Sequence, residues 1–152
     1  MEYAKEQIAQ KGYQISNYFN SNNQTIQIYT EQNGADAQAL EDGISYLIYA
    51  LSNDIPVIVG VDASEGSPNP QTDNTTNHFV VIVGMGEDEN GKYFSFFDNA
   101  SGNSDYGVNS ENKFYYNSDL GILKGTSETK YCNNYTDYGH YIVTQIRKSK
   151  SL

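Results

Sequence analysis

Ile55-Pro56-Val57-Ile58-Val59-Gly60-Val61, then Asn77-His78-Phe79-Val80-Val81-Ile82-Val83-Gly84, then Tyr93-Phe94-Ser95-Phe96-Phe97-Asp98-Asn99 are three apolar runs set between polar stretches. β-branched and aromatic residues fill them, the types that suit a pleated, partly buried surface, so they predict successive strands of one sheet. Pro56 belongs near the start of the first strand, where its missing N–H costs no ladder bond. The turn signal Glu87-Asp88-Glu89-Asn90-Gly91 joins the second run to the third. Thus His78 opens one strand and Asp98-Asn99 end the next.

Upstream, Leu40, Ile44, Leu47, Ile48 and Leu51 recur on one face of a helix over 37–51, despite Gly43, with Asp36 as N-cap and Asn53-Asp54 as its end. A helix that feeds an apolar strand through a two-residue turn is an α+β unit. Farther back, Tyr13 to Phe19 and Thr25 to Thr30 alternate apolar and polar residues about Asn20-Ser21-Asn22-Asn23, and residues 2–10 carry a short helical pattern that runs into Lys11-Gly12. Downstream, Asp62 to Thr76 is a long surface loop. Lys113 to Tyr116, Gly121 to Leu123 and His140 to Ile146 predict further strands. Nothing repeats and no internal boundary shows, so residues 1–152 are expected to form a single domain.

Nineteen acidic and nine basic side chains give a net charge of −10, and the only basic cluster is Arg147-Lys148-Ser149-Lys150. A phosphate backbone would be repelled, which disfavours nucleic acid as a partner. No apolar stretch approaches the roughly 20 residues of a membrane span, and the start lacks the basic and apolar regions of a signal peptide. Fourteen tyrosines, no tryptophan and 18% charged residues point to a β-rich protein with a weakly charged surface, as in many exported proteins. One cysteine excludes an internal disulfide, and two distant histidines with that cysteine offer no metal-ligand spacing. No metal and no cofactor are expected.

His78 lies where a loop meets a strand, so its imidazole is expected at a sheet edge near solvent; the bland reading is an ordinary strand-end histidine. Its partner depends on the hairpin. A five-residue loop over Gly86 to Asn90 sets His78 opposite Asp98, and a register shifted by one sets it opposite Asn99. A tight Asn90-Gly91 turn would instead pair Asp98 with Val83, about 17 Å along the strand from His78, and abolish the site. Cys132 sits in Tyr131-Cys132-Asn133-Asn134, with no helix whose N-terminus would lower its pKa, and is read as incidental. His140 is read as part of a terminal strand, and Asp62 either lines the cleft or caps the loop.

The three runs, with His78 on the second and Asp98-Asn99 on the third, resemble the second half of papain-like domains related to the bacteriocin-processing, C39-like cysteine peptidases. The resemblance covers residues 37 to 100. It implies a papain-like α+β fold, an antiparallel sheet with a packed helix. It also implies that His78 is the catalytic base and that Asp98 or Asn99, with Asp98 favoured, orients it. The family's nucleophilic cysteine and oxyanion-hole side chain lie upstream on a helical part, and no cysteine precedes His78 here. The chain is therefore expected to be the C-terminal part of a longer protein whose preceding segment carries the thiol.

His78 through Asn99 to Tyr141-Ile142-Val143-Thr144-Gln145-Ile146-Arg147 is also similar to the papain-like toxin domains of type VI and polymorphic-toxin effectors. That similarity implies a secreted or delivered antibacterial hydrolase acting on a peptide or peptidoglycan amide, with an immunity protein as partner. The alternatives are a papain-like module that binds a peptide or protein without cutting it, an acidic immunity or inhibitor protein, and a cytoplasmic location.

Overall fold

A computed structural model describes residues 13–15, 25–63, 73, 75–98, 104–129 and 140–151. The elements are β1 (Tyr13–Ile15), β2 (Thr25–Gln27), β3 (Tyr29–Thr30), β4 (Gly34–Ala35), α1 (Ala37–Ser52), β5 (Val57–Asp62), β6 (His78–Asp88), β7 (Gly91–Phe97), α2 (Ser104–Gly107), β8 (Lys113–Asn117), β9 (Ile122–Thr126), β10 (Tyr141–Arg147) and β11 (Ser149–Ser151). The short helix expected over 2–10, the turn at 20–23, most of the 62–76 loop, Asn99 and Cys132 lie outside the described residues.

Strands β10, β5, β6, β7, β8 and β9 follow one another in antiparallel pairs, and β9 pairs back on β10. The expected antiparallel sheet is therefore closed into a six-stranded barrel, and the described residues are mostly strand with one long helix. β10 holds the closure. One of its edges runs along β5, while the other is shared between β9 at Tyr141 and Ile142 and β2 at Gln145 to Arg147. Each of β6 and β10 carries an irregular step, between Ile82 and Gly84 and between Val143 and Gln145, of the kind that bends strands around barrel corners.

Inward residues of the barrel and one face of α1 form a single core of Leu40, Leu47, Val57, Val59, Val61, Val80, Ile82, Phe96, Phe114, Tyr141, Val143 and Ile146, among others. Phe96 and Phe114 stack within it at 4.2 Å. Outside the barrel, Ile58 and Val81 are also buried, beside Phe79, Val83 and Phe97. Coverage on both faces explains why β5 reads as an unbroken apolar run rather than an alternating one.

Helix α1 forms where expected, capped by Asp36, whose carboxylate accepts from the Ala39 N–H at 3.0 Å. Its buried face is centred elsewhere than the periodicity implied. Leu40, Gly43, Leu47 and Ala50 are buried, while Ile48 is 47% exposed. Gly43 is the point of closest approach, since a Cβ there would lie 2.6 Å from Ile146 Cδ1. Small residues let the helix sit low on β10, which rotates Ile48 toward solvent.

The β6–β7 hairpin differs from every register considered from sequence. Its turn is the two residues Glu89-Asn90, closed by Asp88 pairing with Gly91 at φ 116°. The five-residue loop does not form, and Gly91 is already strand. Before the irregular step the strands pair as Gly84 with Ser95, and after it as Ile82 with Phe96 and Val81 with Phe97. Continued by one residue, that register sets Asp98 across from Val80, with His78 its diagonal neighbour on the same face. A tight turn and a His78–Asp98 contact thus coexist, because diagonal neighbours stay within reach of long side chains.

Candidate functional site

His78 is the first residue of β6 and pairs with Val61. The residues before it are pinned on both sides. The Asn77 N–H donates to Val61 O at 3.1 Å, its side-chain oxygen accepts from the Ala63 N–H at 2.8 Å, and its amide donates to Asp62 at 3.2 Å. Asp62 is fully buried there, so of its two sequence readings the loop-fixing one describes its contact. Asp73 accepts from the backbone N–H groups of Thr75 and Thr76, from the Thr76 hydroxyl, and from the amides of Gln27 and Gln145. Burial pushes the Asp73 carboxyl up, but the Thr76, Thr75 and Gln27 hydrogen bonds together hold it below the usual carboxylate range. This network ties the end of the long loop to β2 and β10, and so sets where β6 begins.

Asp98 follows β7 directly, and its N–H donates to Gly107 O at 2.8 Å. Its Oδ1 lies 2.8 Å from His78 Nε2. Its Oδ2 accepts three hydroxyls: Ser127 at 2.7 Å, Thr129 at 3.0 Å and Tyr141 at 2.6 Å. The Asp98 side chain is 0% exposed and that of His78 15%, so the pair presents its imidazole end outward. The Tyr141 ring lies 5.7 Å from the His78 ring and 6.1 Å from Phe96, which seats it against the core. Pairing of Tyr141 with Gly125 brings the end of β9 and the start of β10 to one carboxylate.

Burial alone would raise the Asp98 carboxyl. The His78 hydrogen bond and charge, with the Tyr141 and Ser127 hydroxyls, outweigh it and lower the carboxyl from 3.8 to about 2. A folded value below the unfolded one adds stability that is complete above about pH 4 and is lost as pH falls through 2. At neutral pH the contribution is about 2 kcal/mol. Urea midpoints of the wild type should therefore fall between pH 4.5 and pH 2 more steeply than those of Asp98→Asn. Parallel curves would show that the carboxylate contributes nothing to acid stability.

The chain matches the Peptidase_C39 like family over residues 2–122, a span that holds α1, β2 to β8 and both His78 and Asp98. This chain is a member of the Peptidase_C39-like family. No curated protein and no solved structure matches it. The match extends on both sides of residues 37 to 100, where the resemblance was legible, and the peptidase family is what it names.

In this C39-like chain the structure joins two of the three residues expected at the site, His78 and Asp98, while Asn99 lies outside the described residues. Cys132 also lies outside them. His140 directly precedes β10 rather than opening the strand as expected, and borders an outer-face pocket of about 550 Å³ with Lys113, Tyr115, Lys124 and Thr126. Sequence reading missed Ser127, Thr129, Tyr141 and Asp73. The one available signal was the placing of hydroxyl residues at strand ends, which gains meaning only once β9 is known to pair with β10. Among the described residues no cluster of three or more His, Cys, Asp and Glu could hold a metal ion, and no helix is long and apolar enough to cross a membrane.

Proposed function

We propose that this chain carries the base-bearing half of a papain-like cysteine peptidase or amide hydrolase site, with His78 as general base and Asp98 as its orienting group. The observation that supports the reading is the 2.8 Å contact between His78 Nε2 and a buried, anionic Asp98. With Nε2 engaged, Nδ1 is the nitrogen that takes the proton from a thiol as sulfur attacks the amide carbon. The same nitrogen returns that proton to the leaving amine. Asp98 holds the ring in place and stabilises the imidazolium between these steps.

The thiol, in this reading, comes from a segment preceding these residues, because no cysteine precedes His78 in the sequence. The substrate is a peptide or peptidoglycan amide. The weakly charged, tyrosine-rich composition and the similarity to papain-like effector domains support delivery as an antibacterial toxin with a cognate immunity protein. A second source of the thiol has one observation in its favour. Thr129 and Tyr141, both hydrogen-bonded to Asp98, flank in sequence the stretch that holds Cys132, the chain's single cysteine.

The pH dependence of iodoacetamide alkylation at Cys132, in this chain and in His78→Ala, separates the two. The first reading expects slow alkylation with an ordinary thiol profile that the substitution leaves unchanged. Fast alkylation near pH 6 that disappears in His78→Ala would make Cys132 the paired thiolate. In the protein as its gene encodes it, His78→Ala should lower thiol-dependent amide hydrolysis by about 10² to 10⁴. Hydrolysis indifferent to His78 would exclude both.

A further inference from the structure

Three hydroxyls and His78 together fill the acceptor sites of the Asp98 carboxylate, and each hydroxyl comes from a position that constrains its direction. Tyr141 opens β10 with its ring held beside Phe96 and His78, so its O–H is aimed by packing. Ser127 accepts from the Thr129 N–H at 3.2 Å and its hydroxyl oxygen lies 2.8 Å from that of Thr129, which keeps the two short side chains together as they face Asp98. All three bonds converge on Oδ2, while His78 is bonded to Oδ1.

We propose that Ser127, Thr129 and Tyr141 are positioning residues that clamp Oδ2 of Asp98, present Oδ1 to His78, and so fix the neutral imidazole with its proton on Nε2 and its basic lone pair on Nδ1. A carboxylate only accepts hydrogen bonds, so the nitrogen that meets it must carry the hydrogen. Donors on Oδ2 keep the group anionic and hold its plane, and hydroxyls do so without adding a competing charge. Loss of the clamp frees the carboxylate to turn away from Nε2, which removes the acceptor that favours a hydrogen there and lets the ring proton move to Nδ1. The base would then face away from any attacking thiol. The inference rests on the reading of His78 as a base.

The test is the His78 tautomer ratio, read from long-range ¹H–¹⁵N spectra of ¹⁵N-labelled protein in alkaline buffer, with His140→Gln used for assignment. The wild type should show the Nε2–H form, and Tyr141→Phe combined with Ser127→Ala should move the ratio toward Nδ1–H by about fivefold. Ser127→Thr, which keeps the hydroxyl, should give the wild-type ratio. If the double variant does not fold, Tyr141→Phe alone keeps the ring and should move the ratio by about twofold. A wild-type ratio in whichever of these variants folds would overturn the clamp. A shifted ratio with no His78-dependent hydrolysis in the protein as its gene encodes it would overturn the catalytic reading and leave the clamp standing, so the two failures are distinguishable.

Discussion

Asp98→Ala should melt about 10 °C below the wild type at neutral pH. The carboxylate is the shared acceptor of Ser127, Thr129, Tyr141 and His78, and two of these four residues, Ser127 and Tyr141, are themselves buried. Removing it leaves their donors facing each other across a cavity, with no group of opposite polarity to receive them. Loss of one partner from a buried charged network costs about 3–5 kcal/mol, and in a chain of this length each kcal/mol moves the melting temperature by about 2–4 °C. Asp98→Asn keeps the volume and one acceptor oxygen, so it should fall between the two. Thermal melts followed by circular dichroism decide the matter. A melting temperature for Asp98→Ala within about 2 °C of the wild type would mean that the hydroxyls find other acceptors at little cost.

Gly125→Ala should be nearly as damaging, although it adds a single methyl group. Gly125 lies where the barrel closes, paired with Phe114 on one side and Tyr141 on the other. A Cβ there would lie 1.8 Å from Lys113 O and 3.1 Å from Phe114 Cα, all backbone atoms that no rotamer change can move aside. β8 must therefore shift away from β9, which loosens the seam that carries Ser127 and Tyr141 to Asp98. The cost should lie at the upper end of overpacking substitutions, about 3 kcal/mol or more. Thr126→Ala, an exposed change one residue on, should stay within about 0.5 kcal/mol. Urea midpoints measure both. Equal midpoints for the two variants would show that the seam yields without strain.

Much of this could be read from the chain because the decisive signals are local. Val57 to Val61, Phe79 to Val83 and Phe94 to Phe97 are apolar runs that only strands use well, and residues 37–51 carry a helical stripe ended by polar residues on both sides. The candidate pair was visible for the same reason, since His78 and Asp98 sit at the polar ends of such runs. What escaped was set by contacts far apart in sequence. The irregular step between Ile82 and Gly84 moves the β6–β7 register by one residue, and Gly84 inside an apolar run does not by itself say in which direction. Barrel closure depends on one glycine tolerating a close carbonyl. The Asp98 donors lie 29, 31 and 43 positions away, beyond any pattern of short period. Helix α1 was placed correctly, but its buried face followed Gly43 and Ala50, small residues that hydrophobic periodicity passes over.

The placing of β10 has a consequence for how the molecule comes to exist. This strand, Tyr141 to Arg147, is the partner of β2, β5 and β9, so pairs such as Ile26 with Ile146 join points well over a hundred residues apart. Contacts of such long range form slowly, and a ribosome extends the chain by only about 5–20 residues each second. Until residue 141 emerges, Asp98 lacks its Tyr141 donor and the sheet has no closing strand. A nascent chain can thus hold both His78 and Asp98 without holding the site. Whatever chemistry the pair supports is confined to molecules whose synthesis has passed β10.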